Sequence, residues 1–265
     1  MESTRWKGNT SAAIATSNPM SEIITRLQAY MSQSKAQAML SCRDEAALLE
    51  ATPELTDLLC RSCFGREITT TEKDKQWFQL GPEEAFYLHH SLKCFTITDT
   101  EDKHHTMSTS ELWGYFVSRR PGFPEMYKAY EHLRAKNWVV RSGTQYGADF
   151  VAYRHHPALV HSEYAVLVLS EGSENARLRV WSDLQCSLRV SGSVAKTLLV
   201  LSVNKNGSDV VGPLCLEQFS IEERVIVRWV PEQCREEEPK GNISPTEPKG
   251  SVSPTDQADV EGECL

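Results

Sequence analysis

Two apolar runs, Tyr-Ala-Val-Leu-Val-Leu-Ser at 164–170 and Thr-Leu-Leu-Val-Leu-Ser-Val at 197–203, constrain what this chain can fold into. A strand with one wet face alternates apolar and polar residues. These runs hardly alternate, so each predicts a strand buried on both faces. The sheet that holds them therefore needs helices packed against it.

The flanking residues supply such helices and further strands. Phe123, Met126, Tyr127, Tyr130 and Leu133 share one face of a helix started by Pro124. "NWVVRSG" and "ADFVAYR" follow as strands around a glycine turn, "RLRVW" is expected as a strand, and Ser182-x-x-Gln185 is expected to cap a helix through Leu188. Upstream, Ser21 to Gln33 places Ile23, Leu27, Tyr30 and Met31 on one helical face. Thr52-Pro53 opens a helix expected to end at Gly65, then come the strand "KQWFQL", the helix "GPEEAFYLHHSLK" and the strand "CFTIT". A capping box at Ser108 and Glu111 opens a short helix that Arg119-Arg120-Pro121-Gly122 interrupts, which marks the domain boundary. The expected class is α+β or α/β: a small N-terminal mixed α/β domain over 20–118, then a second domain over 119–232 with a mixed sheet flanked by helices.

The ends differ in composition. Residues 1–19 are too polar to order themselves, and 233–265 carry a small duplication, "EPKGNISPT" then "EPKGSVSPT", with few large apolar side chains. Such a tail cannot bury enough surface to offset chain entropy and is expected to be disordered. From Glu232 onward nine Asp/Glu face three Lys/Arg, a net of −6 out of the chain's −8, which leaves −2 for everything before it. The folded part is therefore nearly neutral, and local basic patches for a polyanion remain open to it.

No stretch of about eighteen apolar residues exists and the N-terminus lacks an apolar signal core, so the expected place is inside the cell, off the membrane. The eight cysteines are scattered, several within apolar runs, as reduced thiols would be. Cys60 and Cys63 form a lone CxxC without a second pair, so they are taken as structural thiols on a helix rather than a zinc or redox site.

"FVAYRHHPALVHSEY", 150–164, is the segment densest in proton-carrying groups. His155 and His156 are loop neighbours whose rings cannot easily face one ion with His161, since Pro157 biases His156 towards extended backbone. Tyr153 ends one strand and His161 begins the next, so a hairpin holds them at one end of a sheet, and Lys196 opens a third strand there. A phenol, an imidazole and an ammonium can thus converge with no metal.

"QYGADFVAYRHHPALVHSEYAVLV" and "LRVSGSVAKTLLVLSV" together resemble the catalytic domain of the tRNA-splicing endonuclease family, and specifically its eukaryotic catalytic subunit that cuts the 5′ splice site. The matching pattern is Tyr146-Gly147-x-Asp149-Phe150, Tyr153, His161-x-x-Tyr164 and Lys196. The likeness extends to "WFQLGPEEAFYLHHSLK" and "YKAYEHLRAKNWVVRSG". It implies a C-terminal domain of restriction-endonuclease-like type. It also implies an endoribonuclease that attacks the phosphate with the adjacent ribose 2′-hydroxyl, leaving a 2′,3′-cyclic phosphate and a 5′-hydroxyl, without metal or other cofactor.

On the same resemblance Tyr153 is the candidate base, His161 the acid and Lys196 the charge that steadies the phosphorane. Arg189 and Trp229 match the positions that clamp an intron base. The expected partners are intron-containing precursor tRNA and related subunits in a heterotetramer, in the nucleus or alternatively the cytoplasm. A phenol of pKa about 10 is only about a thousandth ionised at pH 7, so Tyr153 either is depressed by a nearby cation, Lys196 being the obvious one, or only positions the hydroxyl. Two other readings stand: a non-catalytic structural subunit of the same complex, and an RNA-binding module that does not cut.

Overall fold

The computed structural model describes residues 4–41, 45–69, 76–99, 105–170, 178, 180–207 and 209–227. Trp229, His104, the acidic Ser-Pro tail and Arg177 and Arg179 of "RLRVW" lie outside the described residues; the expected strand there is not seen at Leu178 or Val180, and Trp181 begins a helix. Two five-stranded sheets carry the chain.

The first sheet runs in the order β3-β4-β2-β1-β5, with β1 at Gln37–Ser41, β2 at Ala46–Ala51, β3 at Arg66–Ile68, β4 at Gln76–Leu80 and β5 at Thr96–Thr98. Only β1 with β5 is parallel. Over the sheet lie α2 (Met20–Ser34), α3 (Pro53–Ser62) and α4 (Pro82–Phe86), the last continuing into a π-type turn, Tyr87–Ser91. The side chain of Thr52 accepts from the Leu55 amide, and Pro53 sits where its missing N–H costs nothing. The left-handed C-cap of α3 is Cys63, at φ 58°, not Gly65. Gly65 is required for a different reason: at φ +66° a Cβ would meet the Gln79 carbonyl oxygen at 2.9 Å.

The second sheet has the order β10-β9-β8-β7-β6, with β6 at Val139–Ser142, β7 at Phe150–Tyr153, β8 at Tyr164–Ser170, β9 at Thr197–Asn204 and β10 at Ser220–Ile226. Here β8 and β9 are parallel, joined by a crossover that includes α7 (Trp181–Ser193), and the other pairs are antiparallel. Val166, Leu199, Leu201 and Val203 face the large core beneath α6 (Phe123–Ala135). Ala165, Leu167, Leu198 and Val200 face Leu184 and Leu188 of α7. The near-continuous apolar runs are therefore period-two strands with a helix on each side. Ser182 does not cap α7: Val180 holds that position without a side-chain bond, and the helix runs to Ser193 rather than stopping at Leu188.

Between the sheets, α5 (Thr109–Arg119) starts on the Ser108/Glu111 capping box, and a turn through Pro121 leads into α6. Phe86 meets Tyr127 edge-on at 4.7 Å and Phe123 at 5.6 Å, so one apolar cluster extends from the first sheet to the second. His89 Nδ1 donates to the Phe95 carbonyl and its Nε2 bonds the Thr109 hydroxyl, both at 3.2 Å, and His90 stacks on Phe86, which makes both structural histidines.

Residues 4–19 fall in a span expected to lack order, yet they carry regular structure. Ser11–Ser17 form α1, with Ser11 and Ala15 buried, and residues 5–7 hydrogen-bond to the 157–162 loop. Main-chain bonds, not apolar patterning, order this polar segment.

Gly143 sits in the turn before β7, where a Cβ would lie 2.7 Å from the Phe150 carbonyl oxygen and 2.9 Å from that of Ala148. Gly143→Ala is expected to cost about 2 kcal/mol or more, because backbone must shift. Urea unfolding checks this as a lower midpoint at unchanged slope.

Candidate active site

The site forms where one strand ends and two begin. Ala152 of β7 pairs with Tyr164, the first residue of β8, and Tyr164 pairs with Thr197, the first of β9. The Glu163 amide donates to the Ala152 carbonyl and the Thr197 amide to the Glu163 carbonyl, both at 2.9 Å. Tyr153, one step beyond Ala152, and Lys196, one step before Thr197, are thereby fixed on either side of the 161–163 segment. His161 is not the first residue of a strand, as expected, but precedes β8 by three positions. Its amide donates to the Arg5 carbonyl at 3.0 Å, and neighbouring Val160 forms an isolated antiparallel bridge with Trp6.

The turn before β7 gives each framework residue a task. Gly147 takes the left-handed conformation at φ 65°. Asp149 accepts from the Val168 amide at 2.9 Å and so locks the turn onto β8. The Tyr146 ring lies under the Lys196 ammonium, 4.2 Å from Nζ to centroid. Across the hairpin, Arg154 forms a forked pair with Glu163 at 2.8 and 3.0 Å and stacks over Trp138, holding the 154–163 loop on both flanks.

The electrostatics differ from the expectation at one point. Burial, then the neighbouring Tyr146, push the Tyr153 phenol above its ordinary pKa, and a hydrogen bond with the buried Ser162 hydroxyl and the charge of Arg141 oppose them without prevailing. The net shift is upward, not the depression expected from Lys196, whose ammonium sits over the Tyr146 ring. Burial, and then the charge of Arg5, lower the pKa of Lys196 itself. His161 is exposed, and Tyr153 also borders a cleft of ≈ 1260 Å³ between the sheets that Arg66, Arg120 and Arg141 help line.

The other candidates separate from this cluster. His155 turns inward, with Nε2 donating to the Asn18 carbonyl at 2.8 Å, and His156 accepts from the Ala158 amide at 3.1 Å. Among the described residues no three His, Cys, Asp or Glu side chains gather as a metal-binding group. Burial pushes the Cys63 thiol up to about 11, so it stays protonated and structural. Arg189 is exposed on α7. Arg5 and Tyr146 are neighbours of Lys196 to which sequence reasoning gave no task there; the one trace of Arg5 was a compact Arg-Trp-Lys in an otherwise polar N-terminus.

Comparison with known proteins places these elements in a family. Residues 41–113 match the tRNA intron endonuclease N-terminal domain, and 123–211 match the tRNA intron endonuclease catalytic C-terminal domain. Arg5 lies outside both spans. The probable tRNA-splicing endonuclease subunit Sen2 of Oryza sativa subsp. japonica is 53% identical over 242 residues, 88% of this chain and 82% of that one. The tRNA-splicing endonuclease subunit Sen2-2 of Arabidopsis thaliana is 50% identical over 236 residues, 88% of this chain and 92% of its own. The subunit Sen2 of Mus musculus is 31% identical over 171 residues, 62% of this chain and 36% of its own. With both of that family's domains present and half or more of its residues shared with plant Sen2 subunits over most of its length, this chain belongs to the tRNA-splicing endonuclease family.

Proposed function

We propose that this chain is the subunit that cuts precursor tRNA at the 5′ exon–intron boundary, without metal, leaving a 2′,3′-cyclic phosphate and a 5′-hydroxyl. The observation that supports the reading is the backbone register that sets the positions of Tyr153, His161 and Lys196 at one end of the sheet, beside Ala152, Tyr164 and Thr197. Attack of the ribose 2′-oxygen on phosphorus breaks the bond to the 5′-oxygen. The 2′-hydroxyl proton goes to Tyr153, and His161 gives a proton to the leaving oxygen. Lys196 steadies the extra negative charge of the crowded phosphorane.

The phenol's upward shift sharpens the role of Tyr153. Since a phenol of pKa about 10 is about a thousandth ionised at pH 7, one pushed higher is ionised less still. Tyr153 therefore spends nearly all its time holding the 2′-hydroxyl by hydrogen bonding, and the rare phenolate, a strong base, takes the proton as attack proceeds. Arg189 and Trp229 clamp a base of the intron bulge between guanidinium and indole, a contact that tolerates sequence. The working form is a heterotetramer with related subunits, in the nucleus.

Two measurements on the purified complex test the reaction. In EDTA, with spermidine and monovalent salt keeping the precursor folded, cleavage is expected to proceed undiminished; loss of turnover that returns with a divalent cation overturns the metal-free reading. The 5′ exon is expected to resist phosphatase until acid opens its end. An end that phosphatase removes at once means a different reaction.

A further inference from the structure

The N-terminal segment enters the site described above. The Lys7 amide donates to the Leu159 carbonyl at 2.8 Å, the His161 amide to the Arg5 carbonyl at 3.0 Å, and Lys7 Nζ to the Pro157 carbonyl at 2.8 Å. Together with the Trp6–Val160 bridge, these contacts make residues 5–7 a short antiparallel partner for the loop that carries His161. The Arg5 side chain then reaches further. Its Nη2 donates to the Ser162 carbonyl at 3.1 Å and to the Ala195 carbonyl. Ser162 follows His161, and Ala195, left-handed at φ 50°, precedes Lys196. One guanidinium thus ties the peptide next to the candidate acid to the peptide next to the candidate cation.

We propose that Arg5 is a positioning residue of this active site, fixing the spacing between His161 and Lys196 and presenting the Nη1 donors of its guanidinium to an RNA phosphate. Both bonds leave from Nη2, and among the described residues no acceptor is recorded for Nε or Nη1. Nη1 keeps its own N–H donors for a phosphodiester oxygen, with the Lys196 ammonium close enough to feel its charge. A pair of like charges held together in an open site is stable once an anion lies between them. The inference rests on the catalytic reading of His161 and Lys196, and it adds a residue from the opposite end of the chain.

The test compares Arg5→Gln, Arg5→Lys and His161→Ala in the reconstituted complex, under single turnover, with an intron-bearing precursor titrated by enzyme. Arg5→Gln is expected to lower the saturating rate by about 100-fold, as misplacement on the order of 1 Å does, while half-saturation shifts by less than about threefold. Arg5→Lys keeps charge without the second terminal nitrogen of the guanidinium and is expected to recover roughly tenfold of that loss. A wild-type saturating rate for Arg5→Gln overturns the proposal, as does a loss that lies wholly in half-saturation. Gel filtration shows whether Arg5→Gln assembles; if it does not, Arg5→Lys decides, and a fully active Arg5→Lys overturns the role of the guanidinium. Full cleavage by His161→Ala brings down the catalytic reading itself, whatever Arg5 does; an inactive His161→Ala beside a fully active Arg5→Gln brings down only the present inference.

Discussion

His161→Ala in the assembled complex is expected to slow cleavage at the splice site this subunit serves by about 10²–10⁴-fold, the usual worth of a positioned acid or base. In the proposed reaction the leaving group is a ribose 5′-oxygen, a poor one unless protonated as the bond breaks. Truncation should remove that proton donor and little else. The ring is exposed, and the anchoring bond at this position is made by the main-chain amide, which alanine retains. Subunit assembly and cleavage at the other splice site should therefore continue, giving accumulation of a half-cut precursor on a denaturing gel. Unchanged cutting at both sites would show that the imidazole has no part in the chemistry.

Arg134→Ala is expected to cost about 3–5 kcal/mol of stability, the range for losing a large core side chain together with its buried polar contacts. Arg134 is 1% exposed, on the helix α6, yet its guanidinium lies 4.1 Å from the centre of the Phe64 ring and takes its partners from across the core. Nε donates to the Tyr130 hydroxyl at 2.9 Å, Nη1 to the Ser62 carbonyl at 3.3 Å and Nη2 to the Cys63 carbonyl at 3.1 Å. Those carbonyls close the C-terminal end of α3, where partial negative charge collects and a cation is favoured. Alanine leaves a void and strips the Ser62 carbonyl, whereas Arg141 still serves Cys63. Arg134→Met fills most of the volume and should cost less. Urea titration of both variants separates packing from capping, and a midpoint for Arg134→Ala within error of wild type would contradict the account.

The legible parts of the fold were those whose hydrophobic pattern admits one period. Residues 164–170 and 197–203 admit only a strand covered on both sides, and α6 announces itself through Phe123, Tyr127, Tyr130 and Leu133. Gln37–Ser41 and Ala46–Ala51 gave no such signal. Their Ala, Leu, Gln and Glu residues favour helix intrinsically, and pairing of Ala38 with Leu49 and Leu40 with Ala47 overrides that preference. At the candidate site, Tyr153, His161 and Lys196 could be proposed because Tyr153 ends one strand, His161 shortly precedes the next and Lys196 directly precedes a strand of evident burial. Arg5 could not. Its acceptors are carbonyl groups 157 and 190 residues away, and carbonyls leave no mark on side-chain patterning.

That last separation bears on how the chain comes off the ribosome. Arg5 is synthesised well before its acceptor at Ala195, which emerges 190 residues later. The parallel pairing of β8 with β9 also waits for the intervening crossover, and such distant contacts form slowly. A partly synthesised chain can pair its first sheet before Arg5 has Ala195 to reach. Recovery of cleavage during refolding should therefore lag behind burial of Trp113.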